Sequence, residues 1–152
     1  MENKLYVEAQ MLIRKPASEV FQAFIDPEIT IHFWFTKSSG KLELGKTSIW
    51  EWEMYGVKSP ATVQDIIPNE KIVVLWGEPA TEVEFNFKSL SPESTYVVIK
   101  QKGFSESGDE LTKILMDSTG GFTTVLDGCK AYLEHGINLN LIADKFPKEV
   151  LS

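Results

Sequence analysis

The chain has 152 residues, 43% hydrophobic and 24% charged, and carries a net charge of −7 from 22 acidic and 15 basic side chains. That is the balance of a globular chain, not a disordered one, and it is enough for one domain over 1–152 with a substantial core. An acidic chain without a basic cluster gains nothing from counterion release, which argues against a nucleic-acid partner, and the same sign argues against an anionic membrane surface.

Cys129 is the one cysteine, so no intrachain disulfide or cysteine metal cluster can form. The opening MENKLYVEAQ has an early acid and no apolar stretch of a secretory signal. No run reaches the roughly 18 apolar residues of a membrane helix. A cytoplasmic protein is the expectation.

In chain order, residues 3–14 alternate imperfectly and predict a first strand, ended at Lys15-Pro16 because proline donates nothing to a ladder and suits a helix start. Val20, Phe21 and Phe24 recur at helical spacing. Asp26-Pro27-Glu28 then signals a second short helix through about Phe33, with Asp26 as cap. From Lys41 to Phe104 the period becomes two, predicting strands at 41–44, 47–55, 61–67, 71–76, 80–89 and 94–103. The connections, among them 56–60 and Pro68-Asn69-Glu70, are short, which favours antiparallel neighbours. After a loop at 105–109, Leu111, Ile114, Leu115, Phe122, Val125, Leu126, Cys129 and Leu133 mark one long helix, closed by Gly136. Gly120 and Gly121 inside it imply a kink or a close approach.

The stretch SIWEWEMYG at 48–56 sets Trp50, Trp52 and Met54 against Glu51 and Glu53. Ile72, Val74 and Trp76, then Val83, Phe85 and Phe87, and then Val97, Ile99 and Gln101 extend the same apolar face. Each large ring removes about 150–250 Å² from water, several kcal/mol at about 25 cal/mol per Å². A flipped register would expose the rings and bury unpaired carboxylates. The rings therefore face the long helix. Glu51 and Glu53, side by side on the solvent face, do not converge across a cleft as a glycosidase pair must.

Five segments carry a resemblance: KPASEVFQAFIDPEITIHFW, WEWEM, ATVQDIIPNEKIVVLW, STYVVIKQKGF and GGFTTVLDGCKAYLEHG. In this order they span nearly the whole chain and resemble homologues of the C-terminal domain of the heat-shock-protein-90 ATPase activator. That family lies within the START-like, or SRPBCC, superfamily, which also holds the birch-pollen-allergen (Bet v 1-like) proteins. Phe122 stands where the family usually has tryptophan, and Gln101 lies near a common histidine position. The resemblance implies an α+β helix-grip fold: an antiparallel sheet wrapped around a long C-terminal helix, with two short helices after the first strand. It also implies a cavity between sheet and helix, lined or closed by Trp34, Trp50, Trp52, Trp76, Phe85, Gln101, Phe122, Leu126 and Cys129. A close helix–sheet approach would then account for Gly120 and Gly121.

By themselves the residues leave two readings of the aromatic set open, filled core or wall of a void; the resemblance favours the void. The reading is a module that binds a small apolar or amphipathic ligand, with Gln101 as polar orienter and no catalytic residue, metal or cofactor. The alternatives are a chaperone-interacting protein and, further off, a cyclase or hydrolase of aromatic compounds using Asp65, Tyr132 or Cys129. His32 and His135 are too distant in sequence, and too poorly supported by acids, for a metal site. Gly45-Lys46-Thr47 lacks the preceding glycine and following helix of a phosphate loop. The segment Ile29 to Phe35 and the loop 56–60 are the expected gates.

Overall fold

A computed structural model describes residues 5–151. Seven strands, β1 (Val7–Ile13), β2 (Lys37–Ser38), β3 (Thr47–Trp52), β4 (Val57–Ile67), β5 (Lys71–Trp76), β6 (Thr81–Ser91) and β7 (Ser94–Lys102), form one antiparallel sheet. Their order, β1-β7-β6-β5-β4-β3-β2, is a meander from β2 to β7 with β1 added along β7. Helices α1 (Ala17–Ile25) and α2 (Pro27–Thr30) follow β1, and α3 (Gly108–His135) packs on the apolar face of the sheet. This is the helix-grip arrangement, an α+β fold. Two short helices, α4 (Leu141–Lys145) and α5 (Lys148–Leu151), lie beyond it in a tail for which no element was expected. Residues 3 and 4 of the expected first strand lie outside the described residues.

Four expected boundaries move, each with an identifiable contact or turn behind it. The strand expected at 41–44 is absent; the edge strand is instead β2, pairing Lys37 with Glu51 and Ser38 with Trp50. Leu42 is drawn into the core, and its N–H donates to the Ile25 carbonyl at 3.1 Å, so this stretch follows α1 and not the sheet edge. β3 stops at Trp52, where residues 53–55 wind into a 3-10 turn closed by Gly56 at φ 62°, taking the half-buried Met54 off the strand. The expected loop at 56–60 is therefore the start of β4. Pro60 is tolerated there because its carbonyl still serves the ladder, accepting the Gly77 N–H at 3.0 Å. Finally, α2 ends at Thr30, whose hydroxyl donates to the Ala23 carbonyl, and hydrogen-bonded turns then carry Phe33, Trp34 and Phe35 into the core.

The facing of the strands is as expected. Trp50 and Trp52 are 2% and 9% exposed, while Glu53 is exposed and Glu51 stands on the outer face in register with Lys37 and Lys58. Val83, Phe85 and Phe87, and Val97, Ile99 and Gln101, are likewise buried. Asp26 caps α2 by accepting the Glu28 N–H at 3.0 Å. Gly136, at φ 66°, ends α3 with its N–H on the Tyr132 carbonyl at 2.8 Å, and Ile137 reaches back to Ala131.

The glycine expectation needs correcting. α3 is continuous from Gly108 to His135, and the close approach is at Gly128, not Gly120 or Gly121. A Cβ on Gly128 would lie 3.1 Å from Phe33 Cβ and 3.3 Å from the Phe33 carbonyl oxygen. On Gly120 it would meet only the end of the Lys145 side chain, and on Gly121 nothing within 4 Å. Gly121→Ala should therefore raise stability by about 0.5–1 kcal/mol through helix propensity. Gly128→Leu should lower it by about 1–3 kcal/mol through overpacking. Thermal or urea unfolding of the two variants checks both signs.

One part-buried ionic clamp fixes α3 to the end of β1. Glu134 Oε2 accepts the Arg14 N–H at 2.8 Å and the Lys130 ammonium at 2.6 Å, and Lys130 also donates to the Leu12 carbonyl at 2.8 Å. Desolvation works to raise the Glu134 pKa, but the hydrogen bonds from Arg14 and Lys130, aided by the Lys130 and His135 charges, leave it lowered. A carboxylate depressed in the folded state contributes stability above its unfolded pKa, and this is lost as pH falls through the acidic range. Glu134→Gln should cost about 1–3 kcal/mol at neutral pH, and the gap to wild type should narrow under acid in pH-dependent denaturation.

Candidate functional site

Trp34 is the hub of the interior. Its ring centroid lies 4.8 Å from Trp50, 6.4 Å from Trp52, 5.9 Å from Trp76, 6.0 Å from Phe85 and 5.9 Å from Phe122. Most of these contacts are tilted or edge-to-face, the arrangement that ring quadrupoles favour. A second group, Phe21, Phe24 and Phe87, packs behind it under α1. The interior is thus filled around Trp50, Phe85, Leu126 and Cys129, each no more than 2% exposed.

The packing fails on one flank. Between the ends of β3 and β5, the 3-10 turn, α3 and α4 lies a cleft of about 530 Å³. Trp34, Trp52 and Trp76 form its sheet side, Gly121, Phe122 and Val125 its α3 side, and Tyr55, Ile142 and Phe146 its outer edge. The void follows from the residues on α3: Gly121 has no side chain to put there, and Ser118 is small. α4 stands over this flank because the Tyr55 hydroxyl donates to the Phe146 carbonyl at 2.7 Å, with the Ile142 carbonyl at 3.3 Å. Desolvation pushes the Tyr55 phenol above its ordinary pKa, keeping it a donor.

Of the nine residues expected at a cavity, Trp34, Trp52, Trp76 and Phe122 lie on this wall. Trp50, Phe85, Leu126 and Cys129 belong to the packed core behind it. Gln101 is buried as well, not at an exposed strand end; its amide N–H donates to Thr81 Oγ1 at 2.9 Å. Its Oε1, like Trp76 Nε1, is buried without a hydrogen-bond partner among the described residues. The sequence reading missed Tyr55, Val57, Asp117, Ser118, Gly121, Val125, Ile142 and Phe146 as wall residues. A signal existed for part of this set: 117 and 121 stand at helical spacing before Val125 of the apolar stripe, and 142 and 146 stand one turn apart in the tail. Of the segments expected as gates, 29–35 contributes Trp34 and 56–60 contributes Val57 to the wall; Phe33, Trp34 and Phe35 are buried and residues 57–60 are strand, not loop.

A sequence profile described as activator of Hsp90 ATPase homolog 1-like protein matches residues 14–134. The chain belongs to that family. Among solved structures, this member of the family is similar to protein SSP2350 from Staphylococcus saprophyticus, with a TM-score of 0.79 and 30% identity over 89% of this chain and 96% of that one. It also shares the fold of Aha1 from Colwellia psychrerythraea (TM-score 0.72, 19% identity, covering 87% of this chain and 98% of that one). CalU16 from Micromonospora echinospora gives 0.69 at 16% identity, covering 90% of this chain and 79% of that one. A search of curated protein sequences gives no significant match. The family match ends before α4, so Ile142 and Phe146 close the cleft from outside the matched region.

The residues weighed for chemistry are not on the wall. Asp65 lies on β4 after a bulge, and Tyr132 stacks on His32 at 4.5 Å. Cys129 is fully enclosed, and burial, with a smaller effect from Glu134, pushes its thiol far above the ordinary range. No group of three or more potential metal ligands occurs among the described residues, and no helix there is long and apolar enough to cross a membrane. Ellman's reagent at pH 8 should label Cys129 at least about a hundredfold more slowly in the native protein than in denaturant. Rapid native labelling would mean that the core opens readily.

Proposed function

We infer that this protein is a binding module that takes up a small apolar or amphipathic molecule between sheet and α3, without chemistry of its own. The observation that carries the reading is the cleft of about 530 Å³ walled by aromatic rings. Ligand sites commonly enclose roughly 300–1,000 Å³, are mostly apolar and hold few polar groups. Its ionisable wall groups, Tyr55 and Asp117, are a phenol engaged with a backbone carbonyl and an exposed carboxylate. Neither is hydrogen-bonded to a nucleophile, so acid–base catalysis has little to build on. A chaperone partner rests on the family description alone, whereas the cleft is a feature of this chain.

The reading predicts saturable binding of a neutral aromatic probe, 1-pyrenemethanol, with quenching of tryptophan emission from Trp34, Trp52 and Trp76. Gly121→Trp places an indole in the open space and should weaken binding at least about tenfold while the protein stays folded by circular dichroism. Unsaturable binding, or affinity unchanged by that substitution, would count against the cleft as the site.

A further inference from the structure

The polar groups at the rim of the cleft can each accept a hydrogen bond or a cation, whereas the orphaned indole donor of a wall residue, Trp76 Nε1, is itself buried. Asp117, on the α3 rim, is an acceptor-only carboxylate that forms no ion pair among the described residues. Next to it, Ser118 also faces the cleft. Thr119, Thr123 and Thr124 spend their hydroxyls on carbonyls four residues earlier, at 2.6, 2.7 and 2.9 Å, but the Ser118 hydroxyl has no partner among the described residues. Across the opening, the Tyr55 oxygen donates its proton to Phe146 and retains lone pairs. The ring faces of Trp34, Trp52, Trp76 and Phe122 are the negative ends of quadrupoles. No lysine, arginine or histidine is among the lining residues.

Lys145 stands beside this rim. Its Nζ sits 5.5 Å above the Phe146 ring and would lie 3.4 Å from a Cβ on Gly120, one turn along α3 from Asp117. The rim thus already holds a cation against an aromatic face, but outside the cavity.

We propose that the cleft selects amphipathic cations: molecules with a flat apolar body and an amine or ammonium head placed between the aromatic wall and the Asp117–Ser118 rim. The proposal rests on the cleft being a binding site, and it specifies the head group that site takes. A cation over an indole face gains from the ring quadrupole, most strongly where water is excluded. The rim carboxylate, being exposed, adds a smaller increment that salt screens. An anionic head would meet the same carboxylate and ring faces unfavourably, unless Lys145 swung inward to receive it.

Three probes with one ring system separate these cases: 1-pyrenylmethylammonium, 1-pyrenemethanol and 1-pyrenylacetate, titrated at low ionic strength. The ammonium should bind about tenfold tighter than the alcohol, and the acetate more weakly than either. Asp117→Asn should lower the ratio of ammonium to alcohol affinity by about twofold. Glu93→Gln, which removes an equal charge from the β6–β7 turn, should leave the preference intact. Lys145→Met should preserve or strengthen ammonium binding. Equal affinity for ammonium and alcohol, or an acetate preference lost in Lys145→Met, would overturn the proposal while leaving the cleft as a binding site. A preference weakened equally by Glu93→Gln and Asp117→Asn would trace it to the overall charge of the chain and overturn it too. Failure of all three probes to bind would remove the site itself.

Discussion

Everything in this structure depends on sequestering a set of wide, rigid rings under one helix. Trp34 arrives from the turns after α2, Trp50 and Trp52 from β3, Trp76 from β5, and Phe122 from α3, so one aromatic cluster joins elements far apart in sequence. Each ring represents several kcal/mol of transfer free energy, which fixes the register of β3 to β6 and the side on which α3 must lie. Because the side-chain period along a strand is two, a one-residue slip would invert all of these positions together.

Rigid rings also explain why filled core and open cleft coexist. In the middle of the sheet, tilted and edge-to-face contacts interlock with Val125, Leu126 and Cys129 of α3, leaving the cysteine without solvent contact. Toward the ends of β3 and β5 the supply of apolar atoms from α3 falls away, because Gly121 and Ser118 occupy the turns that face this flank. An indole cannot bend to fill such a gap as a methionine can. The rings remain as walls, and α4, held by the Tyr55 hydroxyl, stands across the outer edge. The same geometry leaves aromatic rings, a serine and a carboxylate around the opening.

Most of the architecture was legible in the sequence because it is written in periodicity. Alternation marks six of the seven strands within a few residues (β1 and β3 to β7), and the helical stripe marks α3 together with its Gly136 cap. The errors sit where a tertiary contact outweighs local pattern. Leu42 is pulled off the sheet edge by the Ile25 carbonyl, the β3 strand is cut short by the 3-10 turn, and 56–60 is strand because Pro60 keeps a ladder acceptor. The glycines show the same limit. A glycine in a helix signals a close approach or an open space, and only packing tells them apart: Gly128 touches Phe33, while Gly121 faces a void.

The sequence by itself determined which side chains go inside, since burial of rings against hydration of carboxylates is decided strand by strand through alternation. Tertiary structure alone decided which of those buried residues border empty space. Trp50 and Trp52 have the same local pattern, yet one is locked in the core and the other faces the cleft. The difference comes from where α3 runs out of bulk and where a tail from beyond the family match comes to rest. Void space belongs to no residue in particular; it is what remains after elements distant in the chain have packed, and so no local pattern encodes it.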